Sequence, residues 1–146
     1  NMTIWWTDED KNRFEERTKK LVDQFNKVHV IDSLYANGEY SLGENIADLG
    51  GLNISYTAFR KTQQFKEGNK ISNFTPQQRF FLAYGHVWAQ NIRDKEKIRL
   101  TKEDVHSLGA NRTNEPLRLL PEFHEAFNVK EGDYMFMNKE LRAFIW

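Results

Sequence analysis

Glu44 and Asp48 are two acidic residues, four positions apart, in the string GENIADLGGL at residues 43–52. On a helix this spacing places both side chains on one face, about one turn apart. Like charges at that spacing repel mildly, and a carboxylate at a packing surface is costly unless something positive meets it. Two interpretations stay open: an ordinary first helical turn, where acids suit the helix macrodipole, or a pair of carboxylates that faces something positive.

His106 and Arg112 form a second candidate pair, in the string DVHSLGANR at residues 104–112. A His and an Arg six positions apart around a glycine-containing loop mean little alone, and the plain interpretation is that both are surface loop residues. The spacing by itself assigns them no role.

His124 opens the string HEAFN, which is one residue short of a zincin motif. That motif needs histidines at i and i+4, and Asn128 cannot supply the second imidazole. We therefore reject this string as a metal site and predict that His124 and Glu125 are surface residues of a short helix. His86 also has no histidine four positions away, and we predict that it is packed or hydrogen-bonded in its helix rather than a ligand.

Helices must position these side chains, because strand signals are nearly absent. An apolar anchor at residues 4–6 and a cap at Thr7 precede a predicted amphipathic helix over residues 8–29. A second helix, over about residues 43–64, carries the two acids. Its predicted core side consists of five residues, Ile46, Leu49, Leu52, Tyr56 and Phe59. Gly50 and Gly51 inside it predict the close approach of another backbone.

The second half of the chain contains further helix signals. Residues 75–78 form a capping box with proline at the first helical position, which predicts a helix to about residue 93. We predict that the charged run at 93–97 is a solvated linker and that residues 101–104 open one short helical turn. Pro121 is predicted to start another short helix.

Composition limits the function classes. The chain has 146 residues, of which 39% are hydrophobic, and this suits one domain over residues 1–146 with a real core. Its 21 basic and 21 acidic residues balance, so nothing indicates a nucleic-acid surface. The absence of cysteine excludes disulfides and thiolate metal sites within it. No apolar run approaches the ~20 residues that span a bilayer, so no transmembrane segment is predicted.

The string at residues 43–52 resembles the second zinc motif of the neprilysin and endothelin-converting-enzyme family of metallopeptidases. The resemblance implies that Glu44 is the third protein ligand of a catalytic zinc and that Asp48 orients a zinc-bound histidine. Both roles suit carboxylate chemistry. Leu49 departs from the family's usual asparagine and touches neither role.

Residues 104–112 resemble the same family, in which the matching histidine donates to the oxyanion and the matching arginine binds a substrate backbone carbonyl. The resemblance gives these roles to His106 and Arg112. Leu108 and Asn111 depart from the usual proline and aromatic residue, which bears on loop shape. Residues 80–89, residues 116–127 and the terminal Trp146 resemble the family as well, so the likeness runs from Trp5 to Trp146.

The resemblance implies a mostly α fold, the C-terminal helical part of a thermolysin-like (gluzincin) catalytic domain. The family's HExxH helix, with two zinc ligands and the general base, is then expected upstream of Asn1. We expect one zinc per intact enzyme, not held by this fragment alone, and an inactive isolated fragment. The expected partners are peptide substrates and the remainder of its own domain.

Other interpretations stay open. A helical binding or scaffold module that kept the motif without the chemistry is the main alternative, whereas a nucleic-acid module has only scattered Lys and Arg to support it. The absence of cysteine favours a bacterial member, and the resemblance favours an extracytoplasmic place, either the bacterial envelope or secretion. Glycosylation sequons lie at four positions, Asn1, Asn53, Asn73 and Asn111.

Overall fold

The computed structural model describes residues 5–145 and is mostly helical, as predicted. The anchor residue Ile4, the sequon at Asn1 and the terminal Trp146 lie outside the described residues. The helices are α1 Asp8–Phe25, α2 Leu42–Phe59, α3 Gln63–Glu67, α4 Pro76–Val87, α5 Asp94–Glu103, α6 Gly109–Leu119 and α7 Pro121–Phe127. Two short antiparallel strands, β1 His29–Ile31 and β2 Leu34–Tyr35, join α1 to α2, and a 3-10 turn lies at Lys139–Leu141.

The helix starts follow the capping signals. The Thr7 hydroxyl accepts a hydrogen bond from the Asp10 N–H, and Thr75 with Gln78 forms a complete capping box. The predicted ends of the helices are wrong in three places. Helix α1 stops at Phe25 because the chain turns into β1, α2 stops at Phe59 before the short helix α3, and α4 stops at Val87.

Helix α5 corrects the predicted linker at residues 93–97. Its charged residues form ion pairs within the helix: Arg99 with Glu96 and Glu103, and Lys97 with Asp94. Oppositely charged residues three or four positions apart are neighbours on a helix surface and support the helix. The charge run is therefore a helical segment, and residues 101–104 belong to its end rather than to a separate turn.

Helix α6 corrects the predicted surface loop around Gly109. It begins after Leu108, whose carbonyl accepts from the N–H groups of both Asn111 and Arg112. Pro116 lies inside this helix and is buried. Arg112 is consequently held on a helix, not on a loop.

The core forms where the apolar side of α2 meets α1, α6 and their neighbours. The predicted core side of α2 is confirmed: Leu49, Leu52 and Tyr56 are buried, and Ile46 and Phe59 pack against them. Aromatic rings from α4 and α7 complete this core, namely Phe80, Phe81, Phe123 and Phe127. Within residues 5–145, no helix is both long and apolar enough to cross a bilayer.

Close backbone approach occurs at Gly38 and Gly109, neither of which was predicted. A Cβ at Gly51 would meet nothing within 4 Å, so the prediction is wrong there, although Gly50 is buried. At Gly109 a Cβ would overlap the Trp88 carbonyl oxygen, and at Gly38 it would overlap the Val22 carbonyl oxygen. Gly109 therefore lets the start of α6 pack directly on the segment that follows α4.

His124 and His86 each differ from prediction. His124 is buried rather than on the surface, because its Nε2 contacts the Arg118 carbonyl at 3.0 Å and its Nδ1 lies 2.9 Å from an Arg142 Nη. Arg142 belongs to the C-terminal tail, which folds back over α7. Glu125 is exposed, as predicted, whereas His86 is exposed rather than packed.

Candidate functional site

Glu44 and His106 come together at the surface of the molecule. Glu44 lies in the first turn of α2, and its Oε2 is 3.2 Å from Nε2 of His106. Their side chains are 40% and 45% exposed, so both remain accessible to a substrate or to another part of the protein. The contact joins residues 62 positions apart, and it brings the two sequence motifs into one site.

Asp104 fixes the imidazole of His106 from the other side. One carboxylate oxygen, Oδ1, accepts from the His106 backbone N–H at 2.9 Å and lies 2.8 Å from Nδ1. The backbone hydrogen bond from His106, together with its side-chain hydrogen bond, lowers the pKa of the Asp104 carboxyl. Because an ionised carboxylate only accepts, Nδ1 donates to Asp104, and Nε2 is the nitrogen that faces Glu44.

Arg112 and Asp48 form a bidentate ion pair one helical turn along α2. Nε and Nη2 of Arg112 donate to the two Asp48 oxygens at 2.7 and 2.8 Å. The side chains are only 15% and 10% exposed, and the hydrogen bond to Asp48 raises the pKa of Arg112 further. Nη1 is the guanidinium nitrogen that this pair does not use.

Trp88 and Tyr84 support Arg112 from α4 and the residue that follows it. The Arg112 Cζ lies 3.7 Å from the centre of the Trp88 ring, a cation–π distance. The Tyr84 hydroxyl donates to the Arg112 carbonyl at 2.9 Å. That carbonyl lacks its usual helical donor because Pro116, four residues later, has no N–H. Burial, with the Asp48 carboxylate nearby, raises the pKa of Tyr84 to about 12.

An open depression of about 290 Å³ adjoins this group. The lining residues include Trp88, Leu108 and Gly109, together with the charged or polar residues Asp104, His106 and Arg112. Apolar walls with a few convergent polar groups are typical of sites that orient a small ligand or a peptide side chain.

Among the described residues, Glu44 is suited to be one ligand of a metal site. Within residues 5–145, no three His, Asp or Glu side chains group so that together they could hold a metal ion. Glu44 presents a partly exposed carboxylate, which is a suitable zinc ligand, and Asp48 follows it one turn later. The chemistry of Glu44 thus suits one ligand position of a zinc site.

All four residues singled out in the sequence therefore lie in one region. Sequence reasoning missed Asp104, Trp88 and Tyr84. Asp104 could have been found from its position two residues before His106. The role of Tyr84 had only an indirect signal, because the proline four residues after Arg112 indicates a carbonyl in need of a donor.

Comparison with known proteins identifies the family. The family model "Peptidase family M13" matches residues 1–143. The chain is 37% identical over 153 residues to Neprilysin-21 of Caenorhabditis elegans, covering 100% of this chain and 20% of that protein. It is 33% identical over 146 residues to the Neutral endopeptidase of Lactococcus lactis subsp. lactis, covering 100% of this chain and 22% of that protein.

The fold agrees with these relatives. The crystal structure of the Mycobacterium tuberculosis zinc metalloprotease Zmp1 in complex with inhibitor superposes with a TM-score of 0.88 at 32% identity, covering 100% of this chain and 23% of that one. The chain thus spans about a fifth of the length of the proteins that it matches. The resemblance inferred from the two motifs is confirmed, and this chain belongs to peptidase family M13.

Proposed function

We propose that the intact protein is a zinc-dependent endopeptidase that hydrolyses peptide bonds of oligopeptides, and that this chain is the C-terminal piece of its catalytic domain. The observation that carries the proposal is the contact of Glu44 with His106, one helical turn from the Asp48–Arg112 pair. The group brings a carboxylate, an imidazole and a guanidinium into one region of the molecule. The names of the relatives support the same activity.

Glu44 would hold the zinc together with two histidines of an HExxH helix outside this chain. When bound, zinc supplies Lewis acidity and activates a water molecule for attack on the peptide carbonyl. The partial exposure of Glu44 suits this role, because its carboxylate is accessible to a metal ion that residues of another segment also bind.

His106 would stabilise the negative charge that develops on the carbonyl oxygen. Asp104 holds the imidazole through Nδ1, which leaves Nε2 as the atom that meets the substrate. A protonated Nε2 donates a hydrogen bond there, and such fixed donors act more strongly on the transition state than on the ground state.

Arg112 would bind a backbone carbonyl of the substrate through Nη1. Asp48 and the Trp88 ring fix the plane of the guanidinium, so little rotamer freedom remains to be lost on binding. Asp48 has a second part in the proposal, since each carboxylate oxygen has a further lone pair for the N–H of a zinc-bound histidine.

Substitution of Glu44 in the full-length protein tests this function. Glu44→Ala is expected to lose both stoichiometric zinc and hydrolysis of an internally quenched peptide, whereas the control Glu125→Ala, on an exposed acid of α7, keeps both. Full zinc content and activity in Glu44→Ala would refute the proposal. A wild-type protein with neither zinc nor activity would favour the non-catalytic helical module instead.

The proposal extends to the isolated chain and to its location. Residues 1–146 alone are expected to bind no stoichiometric zinc and to cleave no peptide, because the histidine ligands lie elsewhere. Tight one-to-one zinc binding in a calorimetric titration would contradict this expectation. We also propose an extracytoplasmic place for the intact protein, which fractionation of the source cells tests.

A further inference from the structure

Asn45 and Ser107 are the sequence neighbours of Glu44 and His106, and they hydrogen-bond to each other. The Ser107 hydroxyl donates to Asn45 Oδ1 at 2.8 Å, beside the 3.2 Å contact between Glu44 and His106. The Asn45 residue is 1% exposed. A hydrogen bond shielded from water in this way is costly to leave unmade.

The orientation of the Asn45 amide is set by a chain of hydrogen bonds. The Ser41 hydroxyl donates to the Asn37 carbonyl at 2.9 Å, so towards Asn45 it can only accept. Asn45 Nδ2 donates to it at 2.9 Å, and this leaves Oδ1 to face Ser107. Ser41 is 5% exposed, so the chain of donors runs through the interior from the turn before α2 to the loop after α5.

The segment between α5 and α6 needs such an anchor. Residues 104–108 form no helix or strand, and the His106 side chain is nearly half exposed. Asp104 fixes the ring relative to its own loop, but both residues belong to the same segment. The Ser107–Asn45 hydrogen bond ties that segment to α2, the helix that carries Glu44.

We propose that Asn45 and Ser107 are positioning residues that set the distance between His106 and Glu44. The proposal rests on the proposed function, because the distance matters only if both side chains meet the reacting carbonyl. A displacement of about 1 Å in such a group can cost on the order of 100-fold in rate. Loss of this single hydrogen bond displaces the loop and leaves the chemistry of each side chain unchanged.

Ser107→Ala in the full-length protein tests the proposal kinetically. We expect kcat to fall about tenfold or more while KM changes less than about twofold, with zinc content unchanged. Ser107→Thr retains the hydroxyl and is expected to recover most of the kcat. Ser55→Ala is the matched control, since Ser55 Oγ donates to the Leu52 carbonyl on the same helix, away from the site, at 3.0 Å. Equal kinetics for Ser107→Ala and Ser55→Ala would overturn the proposal, as would a raised KM with kcat intact.

Hydrogen exchange of the same proteins gives a readout independent of activity. Peptides covering residues 104–109 are expected to exchange faster in Ser107→Ala than in wild type, and at the wild-type rate in Ser55→Ala. Unchanged exchange in Ser107→Ala overturns the proposal. If the wild-type protein proves inactive, the proposed function fails, and the exchange result alone decides whether this pair holds the His106 loop.

Discussion

The Arg112 guanidinium donates two hydrogen bonds to the Asp48 carboxylate, although 64 positions separate the two residues in the chain. The pair joins α6 to α2 and makes each residue's proposed role depend on the other. Under the proposed function, a change at Asp48 is therefore expected to act on substrate binding through Arg112 as well as on the metal through a histidine ligand.

Arg112→Lys is expected to raise KM by about tenfold or more, with a smaller change in kcat, because lysine keeps the charge but loses the planar fork. Arg112→Ala should act more strongly and also leave Asp48 without its partner, at a cost on the order of 1–3 kcal/mol of stability. Steady-state kinetics and denaturant unfolding measure the two effects. A fall in kcat at constant KM would show that Arg112 acts in the transition state only.

Asp48→Ala is the partner variant for this experiment. It is expected to weaken metal affinity or activity by roughly 10–100-fold, since a histidine ligand loses its orienting carboxylate. Zinc content measured alongside separates this effect from the loosening of Arg112.

His106→Ala is expected to lower kcat by ~10²–10³ with little change in KM, because its hydrogen bond strengthens as the oxyanion forms. Asp104→Asn should lie between wild type and His106→Ala, since asparagine still fixes the loop but no longer holds Nδ1–H as a charged acceptor. Kinetics with zinc content measured on each variant provides the check. A raised KM with turnover untouched in His106→Ala would refute the oxyanion role.

Tyr84→Phe is expected to destabilise the protein by about 1–3 kcal/mol, because the Arg112 carbonyl then has neither a helical nor a side-chain donor. Tyr40→Phe is the matched control: the Tyr40 hydroxyl also donates to a carbonyl, that of Glu103 at 3.2 Å, but its side chain is exposed to water. Denaturant titration compares the two. Equal losses of stability would mean that Pro116 does not leave the carbonyl dependent on Tyr84.

His124 gives the fold a pH-dependent contribution. Burial, together with the adjacent Arg142 guanidinium, lowers the pKa of His124. The unfolded state then binds more protons than the folded state below the ordinary histidine pKa of about 6.5. This contribution to stability is present above that pH and is lost as the pH falls towards the folded-state pKa.

His124→Gln tests this assignment. Glutamine can still donate to the Arg118 carbonyl and accept from Arg142, but it does not titrate. We expect the drop in Tm between about pH 7.5 and about pH 5.5 to be smaller in this variant than in wild type. His86→Gln, at an exposed histidine, is expected to retain the wild-type pH dependence. A full drop in His124→Gln would assign the effect to other groups.

Local signals were enough to predict part of this structure. The capping box at Thr75 and the apolar side of α2 depend on residues a few positions apart, so sequence spacing predicts them. Composition alone predicts a solvated linker where α5 lies, because the segment is rich in charge; the spacing of those charges nevertheless allows the ion pairs that support the helix.

Other features depend on contacts between distant residues. The burial of His124 arises from Arg142 and the ring of Phe136, both on the tail that folds back over α7. The Asp48–Arg112 pair likewise forms only once α6 packs on α2. The sequence immediately around His124 or Asp48 does not predict these distant contacts. The family motifs, in contrast, did identify the four site residues, Glu44, Asp48, His106 and Arg112.

Gly109 links the packing of two helices to the geometry of the whole site. Gly109 lies three residues before Arg112 and three after His106. Its backbone packs directly against the Trp88 carbonyl. A single methyl group at this position would push the start of α6 away from α4 and shift both residues at once. Mutational screens of this protein should therefore find inactive variants at a position that has no side chain to take part in the chemistry.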